Sequence, residues 1–154
     1  MRLALYQPDI PQNLGAAIRL SACLGVALDV IEPCGFPLTA TALKRAALDY
    51  GDKARISRHA SFETFASAPE RAAGRLVLIE TDGATALQNF DFSSGDTLVF
   101  GRESAGSPGE LYRAAQASVR IPMARGLRSL NVVNAAAVVL TEALRQTGGW
   151  EKLD

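Results

Sequence analysis

The chain has 154 residues, 48% of them hydrophobic and 21% charged, with sixteen basic side chains against sixteen acidic ones. That is the length of a single domain with one substantial core, and the composition of a folded globular protein rather than a disordered or fibrous one. The zero formal net charge argues against wholesale coating of nucleic acid but leaves room for a local patch, because thirteen of the cations are arginine, the better bidentate ligand for phosphate.

In chain order, short β-type runs alternate with longer helical ones. Residues 2–7 (RLALYQ) predict a first strand, and Leu14, Ile18, Ala22 and Leu24 then fall close to helical spacing over 14–24. Asn13 is the expected N-cap of that helix and Gly25 its stop. Strands follow at 27–32 and 54–57, with a helix at 40–48 between them. A helix at 62–73 capped by Ser61, a strand at 75–80, a strand at 97–101, a short helix after Pro108 and a strand at 118–122 come next. The last element is a long helix at 130–146, with Ser129 as N-cap and TGG as its end. This alternation predicts an α/β fold, a mostly parallel sheet flanked by helices.

Several function classes drop out at once. The apolar run at the N-terminus is too short for a secretion signal, and nothing approaches the roughly 20 apolar residues of a membrane span, so a cytoplasmic protein is expected. Cys23 and Cys34 form no CxxC pair and His59 is the only histidine. No metal site is therefore expected; the cysteines read as small buried groups and His59 as a surface loop residue.

In a parallel sheet the ligand sits beyond the carboxyl ends of the strands, in the loops that lead into helices. Those loops are QPDIPQNLG, ETDGAT, GRESAGSPG and PMARGLRSLN. The third carries Gly101, Gly106 and Gly109, yet it lacks the lysine of a Walker loop, the spacing of a dinucleotide fingerprint and that of a nucleophile elbow. Close backbone approach to a bulky ligand is the remaining reading. In the first loop, Asn13, Gly15 and Arg19 open a helix from which Arg19 is expected to reach an anion in the same cleft. In the fourth, capping explains Ser129 but leaves Asn131 and Asn134 without a purpose.

Taken together, NLGAAIR, VFGRESAGSP and IPMARGLRSLNVVNAAAVVL resemble the three ordered motifs of the SPOUT methyltransferases. IEPCGFPLTATALKRAALDY and TEALRQTG resemble the minimal members of that superfamily, which methylate the 2'-hydroxyl of cytidine or uridine 34, the wobble nucleotide of tRNA. The resemblance implies a C-terminal deep trefoil knot, S-adenosyl-L-methionine as methyl donor, the tRNA anticodon loop as partner, and a homodimer. It implies cofactor contacts at Ile79, Gly101, Glu103, Ile121, Ser129 and Leu130. Arg19, Asn13 and Asn131 would be catalytic, and Arg128 and Arg102 would meet the RNA.

The chain also departs from the family pattern. The second motif commonly reads FGPETRGLP, where this chain has Arg102 for proline and Ala105 for arginine. Val133 replaces a usual serine and Thr141 a usual tyrosine. Three further readings stay open on sequence alone: a knotted RNA-binding protein without turnover, a methyltransferase with another RNA target, and a flavodoxin-like phosphate or nucleotide binder without methyl transfer.

Overall fold

A computed structural model of the chain describes residues 1–39, 41, 50 and 53–153. The helix expected at 40–48 therefore lies, but for one residue, outside the described residues. Seven strands form one sheet: β1 (Arg2–Tyr6), β2 (Ala27–Ile31), β3 (Ile56–His59), β4 (Leu76–Ile79), β5 (Thr85–Ala86), β6 (Thr97–Phe100) and β7 (Ala117–Arg120). Their order is β3-β2-β1-β6-β4-β7-β5 and every pairing is parallel, so all the carboxyl ends lie along one edge. The central strands are apolar almost throughout because both faces are covered.

On one face, Leu3, Leu5, Leu28, Val30, Leu98 and Phe100 pack against α1 (Pro11–Cys23) and the terminal α5 (Val132–Gln146). On the other, Ala4, Tyr6, Ile31, Leu78 and Val99 pack on Phe65 of α2 (Phe62–Ala66) and Leu111 of α4 (Gly109–Ala114), with α3 (Pro69–Ala72) following α2. The expected α/β architecture is thus the observed one.

Several local expectations are corrected. α1 starts at Pro11, whose fixed φ and missing N–H suit a first helical position, so Ile10 takes the cap position and Asn13 lies inside the first turn. The predicted 62–73 helix is two helices, because Pro69 forces Ala68 into extended backbone at ψ 129°. β3 lies two residues beyond its expected start, and β5, of two residues, is too short to leave an alternation in the sequence. Gly25 does end α1, at φ 62°. Cys23 is exposed and Cys34 half-buried.

His59 is no loop residue. It ends β3, and its Nε2 lies 2.8 Å from Oδ1 of Asp29 on β2, which also accepts two bonds from Arg2 on β1, at 2.7 and 2.8 Å. Asp29 is fully buried on the Phe65 side of the sheet, where a carboxylate survives only because both oxygens are bonded.

Among the described residues, no helix is long and apolar enough to cross a membrane and no group of three or more His, Cys, Asp or Glu could hold a metal.

Candidate active site

Three loops meet at the carboxyl edge of β1, β4, β6 and β7: the β1–α1 turn, the glycine loop after β6, and the segment from β7 to α5. The glycine loop folds back on itself. Arg102 N–H donates to the Gly106 carbonyl at 3.0 Å and Gly106 N–H returns to the Arg102 carbonyl at 2.8 Å. The arginine in place of the family's proline thus adds a donor to the loop closure, since proline has no N–H. Gly106 takes φ 68°, and a Cβ on Gly101 would stand 2.4 Å from Ser107 Oγ and 2.6 Å from Ser107 N, so only glycine fits at 101.

Glu103 projects from this loop toward the first one. Its Oε2 accepts the backbone N–H of Asp9 at 3.0 Å and its Oε1 accepts Asn13 Nδ2–H at 3.0 Å. Asn13, 9% exposed, in turn accepts Asn131 Nδ2–H at 3.0 Å. Asn131 Oδ1 takes the N–H groups of Val133 at 2.9 Å and Asn134 at 3.3 Å, which makes Asn131, not Ser129, the N-cap of α5. A single polar chain, Glu103 to Asn13 to Asn131 to the α5 N-terminus, therefore ties the three loops together.

Two asparagines that capping by Ser129 left over now have a physical account. Asn131 caps the helix with its oxygen and reaches Asn13 with its nitrogen. Asn134 takes part only through its backbone N–H, and its side chain is exposed.

These loops enclose a cleft of about 480 Å³, within the range of small-molecule sites. Its lining contains Asn13, Ile79, Gly101, Arg102, Glu103, Ile121, Arg128, Ser129, Leu130 and Asn131, which is every residue anticipated from sequence except Arg19. Ile10, Glu80, Thr81, Phe100, Gly106, Met123, Val132 and Ala135 complete it. Arg19 lies elsewhere. It is exposed on α1, six positions past Asn13 and so on a different side of the helix, with its guanidinium 5.5 Å from the centre of the Tyr50 ring.

Glu80 is the chief residue that the sequence reading missed. Its Oε1 accepts Ser107 N–H at 2.9 Å and its Oε2 accepts Thr81 N–H at 3.0 Å, so it holds the β4 end to the glycine loop. An acidic residue directly after an apolar strand was the available signal. Opposite, residues 124–130 are exposed and Arg128 has no side-chain partner among the described residues. Leaving β1, Gln7 takes φ 45° and receives a long bond from Arg102 Nη1 at 3.5 Å. Backbone strain of this kind concentrates at functional edges.

The donor set suits S-adenosyl-L-methionine. Ile79, Phe100, Ile121 and Leu130 offer apolar contact for a purine, while backbone groups and the hydroxyl of Ser129 offer polar contacts. At Gly101 the missing Cβ lets the Gly106–Ser107 backbone close against the end of β6, which shapes this wall of the cleft.

Residues 1–141 match the SpoU rRNA Methylase family. The chain belongs to that family. A tRNA (cytidine(34)-2'-O)-methyltransferase of Ancylobacter novellus is 48% identical over 99% of this chain and 96% of its own length. The protein of the same name from Escherichia coli strain K12 is 39% identical over 96% of this chain and 94% of its own. A solved structure from work on the 2-OH methylation of C/U34 on tRNA superimposes with TM-score 0.84 at 41% identity, covering 94% of each chain. The SpoU methyltransferase AviRb of Streptomyces viridochromogenes, solved with AdoMet, superimposes with TM-score 0.83 at 30% identity, over 95% of this chain and 60% of that one.

Proposed function

We propose that the chain is an S-adenosyl-L-methionine-dependent tRNA methyltransferase that methylates the ribose 2'-hydroxyl of the wobble nucleotide, cytidine or uridine 34. The observation that carries this reading is the Glu103–Asn13–Asn131 chain, which joins the three motif loops around one cleft of cofactor size. Near full-length similarity to enzymes named for that reaction supports it.

In this reading Ile79, Gly101, Ile121, Ser129 and Leu130 hold the cofactor, and Glu103, whose carboxylate is bonded to Asp9 N–H and Asn13, orders the ribose side of the cleft. When bound, the cofactor supplies an electrophilic methyl on a sulfonium, whose departure leaves a neutral thioether. The chain's task is alignment: Asn13 and Asn131 hold the ribose so that its 2'-oxygen faces the methyl in line. Arg128 and Arg102, at the mouth of the cleft, meet the phosphates of the anticodon loop.

Arg19 completes the site from a second copy. Its exposure on α1, outside its own cleft, supports a homodimer in which the partner subunit's Arg19 meets the reacting ribose. A guanidinium stays protonated at working pH, so Arg19 stabilises the developing oxyanion and fixes the neighbouring phosphate while the hydroxyl proton leaves to solvent water. The C-terminal segment after β7 carries the family's trefoil knot in this account, and the enzyme works in the cytoplasm, where its tRNA substrate is found.

Calorimetric titration tests the cofactor half of the proposal. Binding of S-adenosyl-L-methionine with one site per chain is expected; no heat at millimolar cofactor would overturn it.

A further inference from the structure

Asp9 stands outside the cleft and has no place in the chemistry described so far, yet it grips the glycine loop at two successive residues. Its backbone N–H donates to Glu103 Oε2 at 3.0 Å. Its carboxylate Oδ2 accepts the Ser104 backbone N–H at 3.3 Å and the Ser104 hydroxyl. On the far side Asp9 is walled in: a Cβ on Gly35 would stand 2.6 Å from the Asp9 Cβ, and Gly35 N–H is bonded to the Pro8 carbonyl at 3.0 Å. The side chain is only 13% exposed, and its second oxygen, Oδ1, is buried with no hydrogen-bond partner. Arg102 Nε stops 3.9 Å from Oδ2 and is itself buried without a hydrogen-bond partner.

A buried carboxylate with one oxygen idle is costly to keep, so its hold on Ser104 has to offset that cost. The arrangement has a directional consequence. Glu103 is held at one oxygen by Asp9 and presents the other to Asn13, which holds Asn131 at the N-terminus of α5. Freeing Ser104 from Asp9 loosens the loop that carries Glu103, and the slack passes to both asparagines.

We infer that Asp9 is a positioning residue for methyl transfer: through Ser104 it fixes the Glu103 carboxylate, and through Glu103 it fixes the two asparagines against the ribose. The inference rests on the methyltransferase reading for its kinetic consequence, though not for its structural one. Asp9 acts on the ribose side of the cleft, so its loss falls on turnover and leaves cofactor affinity in place.

The test pairs kinetics with a readout that needs no turnover. In Asp9→Ala, kcat with tRNA falls tenfold or more while the Kd for S-adenosyl-L-methionine stays within about twofold. Asp9→Asn, which keeps an acceptor for Ser104, recovers most of the rate. The double variant Asp9→Ala/Glu103→Gln is no slower than Glu103→Gln alone, because both changes break one chain. In ¹⁵N–¹H spectra of the folded protein, Asp9→Ala shifts the side-chain amide signals of Asn13 and Asn131. Amide signals that stay in place would overturn the inference whether or not the wild-type chain methylates tRNA. Losses that multiply in the double variant, or a cofactor Kd that rises in step with the fall in kcat, would also overturn it. Absence of wild-type turnover with shifted amide signals would instead count against the methyltransferase reading alone.

Discussion

In the middle of β2, Asp29 is fully buried with both oxygens bonded, to Arg2 at 2.7 and 2.8 Å and to His59 at 2.8 Å. Nearby, Arg75 closes on Asp96 with bonds of 2.9 and 2.8 Å. At the carboxyl ends the same residue types are left incomplete: Arg102 stops 3.9 Å from Asp9, and Asp9 Oδ1, Arg102 Nε and Ser107 Oγ are buried without hydrogen bonds. The ion pairs of Asp29 and Asp96 are thus closed by direct hydrogen bonds, whereas the Asp9–Arg102 pair beside the cleft is left open. Arg71 Nε and Thr97 Oγ1, away from the cleft, are also buried without hydrogen bonds, so the open ion pair, and not an unmade bond by itself, sets the cleft edge apart.

The largest effect expected from this contrast is at the closed Asp29 pair. Asp29→Ala leaves Arg2 and His59 without their shared acceptor and costs about 3–5 kcal/mol of unfolding free energy, the usual penalty for breaking a buried pair. Cofactor affinity of the folded fraction is unchanged; denaturant titration with calorimetry measures both, and a cofactor Kd that moves with stability would erase the distinction between the closed pair and the cleft.

Arg19→Ala inverts that result. Unfolding free energy and cofactor binding stay near wild type while kcat falls about 10²–10³-fold, the scale of losing one charge-stabilising group. Unchanged turnover would remove Arg19 from the mechanism. Asn131→Ala sits between the two, since the residue both caps α5 and holds Asn13. About 1 kcal/mol of stability is lost with the cap, and kcat falls as well; loss of stability alone would mean that Asn131 is only a cap.

The fold was largely legible in the sequence because apolar runs bounded by glycine and proline mark buried parallel strands, as in RLALY and TLVF. Helix starts were less legible. Asn13 and Asn131 both have capping chemistry, but whether an asparagine caps its own helix or bridges to another loop depends on contacts across the fold, and the two asparagines are 118 residues apart. The burial of His59 is hidden for the same reason: its partner Asp29, which it shares with Arg2, lies on another strand. The cleft residues were legible through their resemblance to three ordered motifs, whereas Asp9 and Glu80 were not singled out, because their work is to hold a loop that the sequence leaves undrawn.

The smallest effect concerns Tyr6. Burial, and then its hydrogen bond to Glu110, raise its pKa to about 12. An unfolded tyrosine ionises near pH 10, so the folded chain binds the extra proton between about pH 10 and 12 and stability falls as pH rises through that window. Tyr6→Phe removes that part of the alkaline loss without altering cofactor affinity. Stability curves for the two proteins that remain parallel above pH 10 would contradict it.

The central claim is most directly tested by incubating the chain with methyl-labelled S-adenosyl-L-methionine and tRNA lacking ribose methylation at the wobble position, then mapping the label by nucleoside analysis. Label on the 2'-oxygen of nucleotide 34 is the predicted result; a chain that binds the cofactor yet leaves that ribose unlabelled would contradict the account.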